Sequence, residues 1–314
     1  MESGKTALSI VIPLYNEMES LKELHNEICR VCEDSNIPFE VIYIDDGSTD
    51  GSFKVLEQIH EGDPRTKIIQ LRKNFGKSDA LSAGFSHAKG EMVVTMDADL
   101  QDDPNEIPKL MAKLDEGYDL ISGWKRKRRD PLSKRLPSKF FNRVTSLLTG
   151  IRIHDFNCGL KIYRRETVES VNVYGELHRY IPALAKWEGF RIGEIEVNHR
   201  VRKYGKTKYG LSRFFRGALD LITVMFLSRY TKRPLHLFGL IGLCSTLCGF
   251  GITIYLLILR VMGATWLSNR PLLYIGVLLL IVGIQFISIG LLGEMITQSH
   301  TANHKYSIRR TLGV

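Results

Sequence analysis

Residues 235–259 and 272–293 of this 314-residue sequence contain no aspartate, glutamate, lysine or arginine. Each run exceeds the roughly 20 apolar residues that a helix needs to cross a bilayer. Two in succession argue for a membrane hairpin over a buried helix of a soluble protein. Cysteine is scarce, with five residues. Cys29 and Cys32 form a C-x-x-C that no second pair answers, so they read as packing in a reducing compartment. A secretory signal is not expected, because the apolar run from Ala7 to Leu14 is too short and enters a turn without a cleavage site. No Gly-x-Gly-x-x-Gly follows the first apolar run and no Walker-type lysine loop occurs, which argues against a dinucleotide enzyme or a P-loop ATPase.

What remains is an alternation. The runs ALSIVIP, FEVIYID, KIIQL, EMVVTM and YDLISG read as strands. Between them, ESLKELHNEICRVCED, DGSFKVLEQIHEG, KSDALSAGFSHAKG and the segment after Pro104 read as helices. Such alternation predicts an α/β domain with a mostly parallel, Rossmann-like sheet covered on both faces. Ligands of such sheets bind beyond the carboxyl ends of the strands. There the sequence places three polar clusters: PLYNE, DDGSTDGS and DADLQDD. The expected organisation is a catalytic domain over 1–210, a juxtamembrane interfacial helix over 211–233, two membrane helices within 234–298 (about 235–260 and 272–294), and a cytoplasmic tail over 299–314.

The third cluster, in VVTMDADLQDDP, has the sharpest chemistry. If the strand continues, Asp97 and Asp99 point to the same side. Like charges held close call for a cation, and hard divalent ions such as Mg²⁺ or Mn²⁺ take carboxylate and amide oxygens. Ordinary loops also carry carboxylate pairs, so the motif alone leaves both readings open. Asp102 or Asp103 serves as a helix cap ahead of Pro104.

VIPLYNE, DDGSTDGS, NFGKSDALSAG, MDADLQDDP and NCGLKIYRRE, in that order, resemble inverting glycosyltransferases of family 2, which have the GT-A fold. ELHRYIPALA and the paired membrane spans are similar to the polyprenyl-phosphate branch, which includes dolichol-phosphate mannose synthase and bacterial undecaprenyl-phosphate glucosyltransferases. The resemblance implies roles residue by residue. Pro13, Tyr15 and Glu17 would hold the nucleotide base and ribose. Asp46 would contact the base with Asp45 beside it. Asp97 would approach the sugar nucleotide, and Asp99 and Gln101, with Asp97, would hold Mg²⁺ or Mn²⁺ on the diphosphate. Arg202 and Lys208, in RKYGKTKYG, would bind phosphate, unless this is only a solvated basic loop. It further implies transfer of a sugar, with glucose from UDP-glucose the leading choice, onto undecaprenyl phosphate. GDP-mannose or a modified UDP-sugar is the alternative donor. A processive polysaccharide synthase is disfavoured by the missing Gln-x-x-Arg-Trp motif.

A phosphate acceptor is already ionised at neutral pH and requires no strong general base. Asp155 is the nearest candidate for steering it, and a turn carboxylate is the competing reading. Residues 125–143 hold nine Lys or Arg and one Asp. Such a segment suits anionic lipid headgroups, and Lys125, Arg135 and Lys139 are candidates for the acceptor phosphate. The membrane spans argue against nucleic acid as the partner. SRFFRGALDLITVMFLSRYTK reads as an interfacial helix. The basic flanks SRYTKRP and HKYSIRR predict a cytoplasmic catalytic domain, and the resemblance implies a bacterial inner membrane. Gly276, Gly283 and Gly290 recur every seven residues, forming one smooth helix stripe. That stripe could receive the other span of the hairpin. Gly239, Gly242, Ser245, Gly249 and Gly251 would then offer a second face to another protomer, giving a homo-oligomer with a tetramer among the options.

Overall fold

The computed structural model describes residues 6–126, 142–143, 145–146, 149–175, 177–201, 203–204, 234–263, 270–299 and 308–312. Four parallel strands form the centre of one sheet: β1 (Leu8–Leu14), β2 (Phe39–Asp45), β3 (Thr66–Leu71) and β4 (Met92–Thr95). β1 and β2 are buried along their whole lengths, as expected of aliphatic runs covered on both faces. β6 (Lys161–Arg164) lies antiparallel beside β4, β5 (Leu120–Trp124) antiparallel beside β6, and β7 (Ile192–Glu196) parallel beside β5. β8 (Ile308–Leu312) adds to the far edge, antiparallel to β3. The order is β7-β5-β6-β4-β1-β2-β3-β8. The five strands expected from the sequence are all present, in a mixed and mostly parallel sheet.

Alternation along the strands sorts two apolar layers. Ile10, Ile12, Val41, Tyr43, Val94 and Ile162 face α1 (Leu21–Asp34), α2 (Ser52–Gly62) and α4 (Ile107–Asp115). Val11, Ile42, Ile44, Ile69, Val93 and Tyr163 face α3 (Lys77–His87), α5 (Arg165–Ser170) and α6 (Ile181–Trp187). Period-two alternation therefore decides which helix each side chain meets. Cys29 and Cys32 lie on α1, where burial pushes each thiol up to about 12, so both are protonated at neutral pH.

The last strand departs from the sequence reading of a free tail. Its backbone pairs Ile68 with Leu312, Ile69 with Thr311 and Gln70 with Arg310. β8 thereby covers an edge of β3 that would otherwise present open backbone donors and acceptors. Removing residues 305–314 should destabilise the domain by roughly 1–3 kcal/mol, a few net backbone hydrogen bonds. The exposed edge should also promote self-association. Thermal melting and size-exclusion chromatography of the truncated protein check this; unchanged melting and elution would show that the strand is dispensable.

A second unit holds α7 (Pro234–Val261) and α8 (Pro271–Ser299). Both are long and apolar enough to cross a membrane. They pack through their small residues. A Cβ placed on Gly242 would lie 2.6 Å from the Gly283 carbonyl oxygen, and one on Gly249 2.6 Å from that of Gly276. Ser245 Oγ donates to the Leu279 carbonyl at 2.9 Å. Gly290 meets Leu235 and Phe238 of the same hairpin. The seven-residue stripe is thus used inside the hairpin, as are Gly242, Ser245 and Gly249 from the supposed second face. Gly239 and Gly251 are not used in this way, so the expected homo-oligomer keeps only these two residues of that face. The interfacial helix expected over 211–233 lies outside the described residues.

Candidate active site

Three loops at the carboxyl ends of β1, β2 and β3 are stitched into one rim. Asn16, at φ 54°, turns the chain after β1. Its amide donates to Ser48 Oγ at 2.9 Å, and its side-chain oxygen accepts from the Thr49 amide at 2.8 Å. The Glu17 amide donates to Ser52 Oγ at 3.1 Å, and that of Met18 to Asp50 at 3.2 Å. Tyr15 and Glu17 are part-exposed on this rim, while Pro13 is buried within β1. The sequence-predicted nucleotide residues of the first two loops are therefore neighbours.

The two aspartates that end β2 divide the labour. Asp45 Oδ1 accepts from the Ser48 amide at 2.8 Å and Oδ2 from Gln70 Nε2 at 3.2 Å, so it shapes its own turn. Asp46 reaches to the loop after β3 and accepts the amides of Phe75 at 2.7 Å and Gly76 at 2.9 Å. Burial lifts the Asp46 carboxyl to about 6, against those two amides, which favour the charged form. Gly47 makes the approach possible. Its φ is +72°, and a Cβ there would meet the Lys73 carbonyl carbon at 2.6 Å. Both aspartates are buried and build the rim.

The acidic cluster after β4 is not an extension of the strand. β4 stops at Thr95, and the chain turns through Asp97–Leu100, with Leu100 in the left-handed region at φ 61°. The same-side argument for Asp97 and Asp99 therefore fails, because period-two geometry needs an extended backbone. The turn instead gives each carboxylate its own setting. Asp99 is 8% exposed and accepts the Gln101 amide at 3.1 Å. The Asp97 side chain is more open, at 35% exposure, and is ion-paired with Lys77 at the start of α3. The Asp97 amide donates to Asp102 Oδ2 at 3.0 Å. Of the two suggested caps, Asp103 is the one used: it accepts the Asn105 amide at 3.0 Å ahead of Pro104.

Cations surround these carboxylates. Lys125 Nζ lies 2.7 Å from the fully buried Asp102 carboxylate. Lys161, also buried, donates to the Cys158 carbonyl. Burial alone would raise the pKa of Asp97, but Lys77, Lys125 and Lys161 overcome it and hold the carboxyl well below the usual range. Burial likewise opposes charge on Lys125, yet Asp102 holds its ammonium above its ordinary value. Lys161, with burial against it and Lys77 nearby, is shifted down. Beneath the cluster, Gly159 leaves room: a Cβ there would lie 2.6 Å from Asp97 Oδ2 and 2.8 Å from Asp102 Oδ2. The Gly159 carbonyl accepts from Thr95 Oγ1 at 2.9 Å.

Two sequence-predicted residues thus take other work. Lys125 is not on the surface awaiting an acceptor phosphate; it turns inward from the end of β5 because Asp102 is a buried charge needing a partner. Asp155 is 2% exposed and accepts the Asn157 amide at 3.1 Å, which is the turn role. Arg202, Lys208, Arg135 and Lys139 lie outside the described residues. Lys77, Gly159 and Lys161 were not given roles from sequence, and Asp102 only that of a cap, although Lys77 stands in NFGKSDALSAG and Gly159 and Lys161 in NCGLKIYRRE.

The donor set of Asp97, Asp99 and Gln101 is all oxygen, and the cradle under Asp97 exists only because residue 159 has no side chain. Both features fit a hard divalent cation.

Comparison with known proteins agrees with this geometry. The glycosyl transferase family 2 model matches residues 9–171. A dodecaprenyl-phosphate galacturonate synthase from Rhizobium johnstonii is 37% identical over 311 residues, covering 96% of this chain and 92% of its own. Among solved structures, Mycobacterium tuberculosis glucosyl-3-phosphoglycerate synthase with Mn²⁺ and UDP-glucose matches at a TM-score of 0.55 and 20% identity, over 71% of this chain and 79% of that one. The same protein with UDP alone gives 0.53 and 19%, over 71% and 80%. The chain belongs to glycosyl transferase family 2, with the GT-A fold, and is a glycosyltransferase.

Proposed function

We propose that this enzyme transfers a hexuronic acid, with galacturonate from UDP-galacturonate the first choice, onto a polyprenyl phosphate at the cytoplasmic face of a membrane. The carrying observation is the extent of the likeness to the galacturonate synthase. It spans the catalytic domain, the basic segment and the helical hairpin alike, so it includes the parts that would handle a lipid. Glucose, the sugar the sequence resemblance favoured, becomes the alternative. A uronate differs from glucose by a carboxylate on the donor sugar.

The acceptor oxygen is ionised and attacks the anomeric carbon from the face opposite the departing UDP, inverting it. Tyr15, Glu17 and Asp46 line or build the rim for the nucleotide. Asp97 positions the sugar. Arg202 and Lys208 bind phosphate. Asp99, Gln101 and Asp97 would hold Mg²⁺ or Mn²⁺, which supplies positive charge to the leaving diphosphate. With Lys125 committed to Asp102, Arg135 and Lys139 remain as candidates for the acceptor phosphate.

The hairpin spans the membrane twice in this reading. β1–β7 precede it and β8 follows it, yet all belong to one sheet. The chain must therefore return to the side it left, which agrees with basic flanks at both outer ends.

Donor competition tests the reading. Purified enzyme, given UDP-galacturonate and UDP-glucose at equal concentration with a polyprenyl phosphate, should form the uronosyl lipid in at least tenfold excess. Preferential formation of the glucosyl lipid would restore the glucose assignment.

The lysine cluster makes a separate pH prediction. Lys77 helps hold Asp97 ionised, so the wild-type acid limb of kcat/KM should not come from Asp97 within the ordinary carboxylate range. Removing that cation raises the Asp97 pKa. In Lys77→Met the acid limb should move to higher pH, with activity lost at pH values where the wild type still works. Coincident pH profiles for the two proteins would separate Lys77 from Asp97 function.

A further inference from the structure

Away from the nucleotide rim, between α1 and the connection from α2 to β3, three unlike side chains converge. His25 and Cys29 stand one turn apart on α1, at the i,i+4 spacing that puts both on one face. Asp63 follows α2 where the chain enters β3. His25 Nε2 lies 3.4 Å from Cys29 Sγ and 3.5 Å from Asp63 Oδ2, and Cys29 Sγ lies 3.5 Å from the same oxygen.

Those three separations are the edges of a metal coordination face. With zinc bonds of about 2.0–2.1 Å to nitrogen and oxygen and about 2.3 Å to sulfur, tetrahedral angles place neighbouring ligand atoms roughly 3.3–3.6 Å apart. The surroundings fit as well. His25 Nδ1 is 3.3 Å from the Tyr43 hydroxyl, a partner that can hold the proton on that nitrogen and turn Nε2 toward the other two ligands. Arg65 donates to both Asp63 oxygens, at 2.9 Å and 2.8 Å, and so fixes the carboxylate. The trio borders a surface hollow of about 380 Å³, lined also by Lys22, Asn26 and Gln58, with room for a water as fourth ligand.

We infer that His25, Cys29 and Asp63 form a second metal site, separate from the catalytic one, which takes a borderline-soft divalent cation such as Zn²⁺. Cation binding displaces the Cys29 thiol proton to solvent and forms a metal–thiolate bond. The bound ion ties α1 to the α2–β3 connection. The neighbouring Arg65 cation weakens the site relative to a four-ligand structural one, so it exchanges metal and acts as a removable clamp. Mg²⁺ and Mn²⁺, which prefer oxygen, do not compete for it.

Cobalt is the discriminating probe, because only a thiolate ligand gives a sulfur-to-cobalt charge-transfer band in the near ultraviolet. Full-length protein in detergent, stripped by chelator and titrated with Co²⁺, should develop this band at one equivalent. Zn²⁺ should bleach it and raise Tm. Cys29→Ser should lack the band and the Zn²⁺-dependent rise in Tm, and His25→Gln should bind at least tenfold more weakly. Asp99→Ala should keep the band unchanged, since the catalytic site has no sulfur ligand. Absence of a band in the wild type, or its survival in Cys29→Ser, would overturn the assignment.

Discussion

Asp99→Ala should lower sugar transfer by roughly a thousandfold or more, the scale on which loss of charge stabilisation at a leaving group acts. The protein should remain folded. Asp99 accepts the amide two residues on, within its own turn. Chelation of the wild type should reproduce the loss, and added Mg²⁺ or Mn²⁺ should reverse it. Asp103 is the control within the same run. It caps the following turn and meets Arg200 at 2.7 Å and Asn198 at 3.0 Å. Asp103→Ala should therefore cost about 1–2 kcal/mol of stability, with activity below its melting point largely kept. Steady-state kinetics and circular dichroism on both variants check the contrast. More than a tenth of wild-type activity in Asp99→Ala would remove it from the metal site.

Gly159→Ala should be nearly as damaging, though alanine carries no charge and removes no donor. Its Cβ would press on Asp97 Oδ2 at 2.6 Å, on Asp97 Cγ at 2.7 Å and on Asp102 Oδ2 at 2.8 Å. Asp102 cannot yield. It is fully buried, paired with Lys125 and bonded to the Asp97 amide. Asp97, the more open of the two, must move instead. Displacing a positioning group by about 1 Å can cost on the order of a hundredfold in rate, and overpacking adds about 1–3 kcal/mol of instability. The loss should fall mainly on kcat. A Gly159→Ala enzyme with unchanged kcat would mean that the carboxylate cradle has slack.

Gly159 also shows where sequence reading stops. The glycine is visible in NCGLKIYRRE, but the carboxylates it accommodates lie about sixty positions earlier, and only the β4–β6 pairing brings them together. The strands found from sequence are those whose apolar runs are long enough to dominate a local window. KIYR, IGEIE and IRRTL, which became β6, β7 and β8, carry too many charges to do so, and their sheet positions are set by tertiary pairing. The aspartates after β4 were located correctly, but their relation was inferred from an extended backbone that ends at Thr95. Lys125 was hidden by its company: in a run of basic residues it resembles surface, and only Asp102 draws it inward. The C-x-x-C on α1 read as packing because no second pair answers it in sequence. What completes its surroundings is His25 one turn earlier and Asp63 from another element.

The most direct measurement is the mass of the lipid product. Purified enzyme should be incubated with UDP-galacturonate, a polyprenyl phosphate and Mg²⁺ or Mn²⁺, and the extracted lipid analysed by mass spectrometry. The account predicts one hexuronic acid residue joined to the lipid phosphate, with release of UDP and no product in the Asp99→Ala enzyme. UDP release without a glycosylated lipid, or a sugar transferred to a non-lipid acceptor while the polyprenyl phosphate remains unmodified, would contradict it.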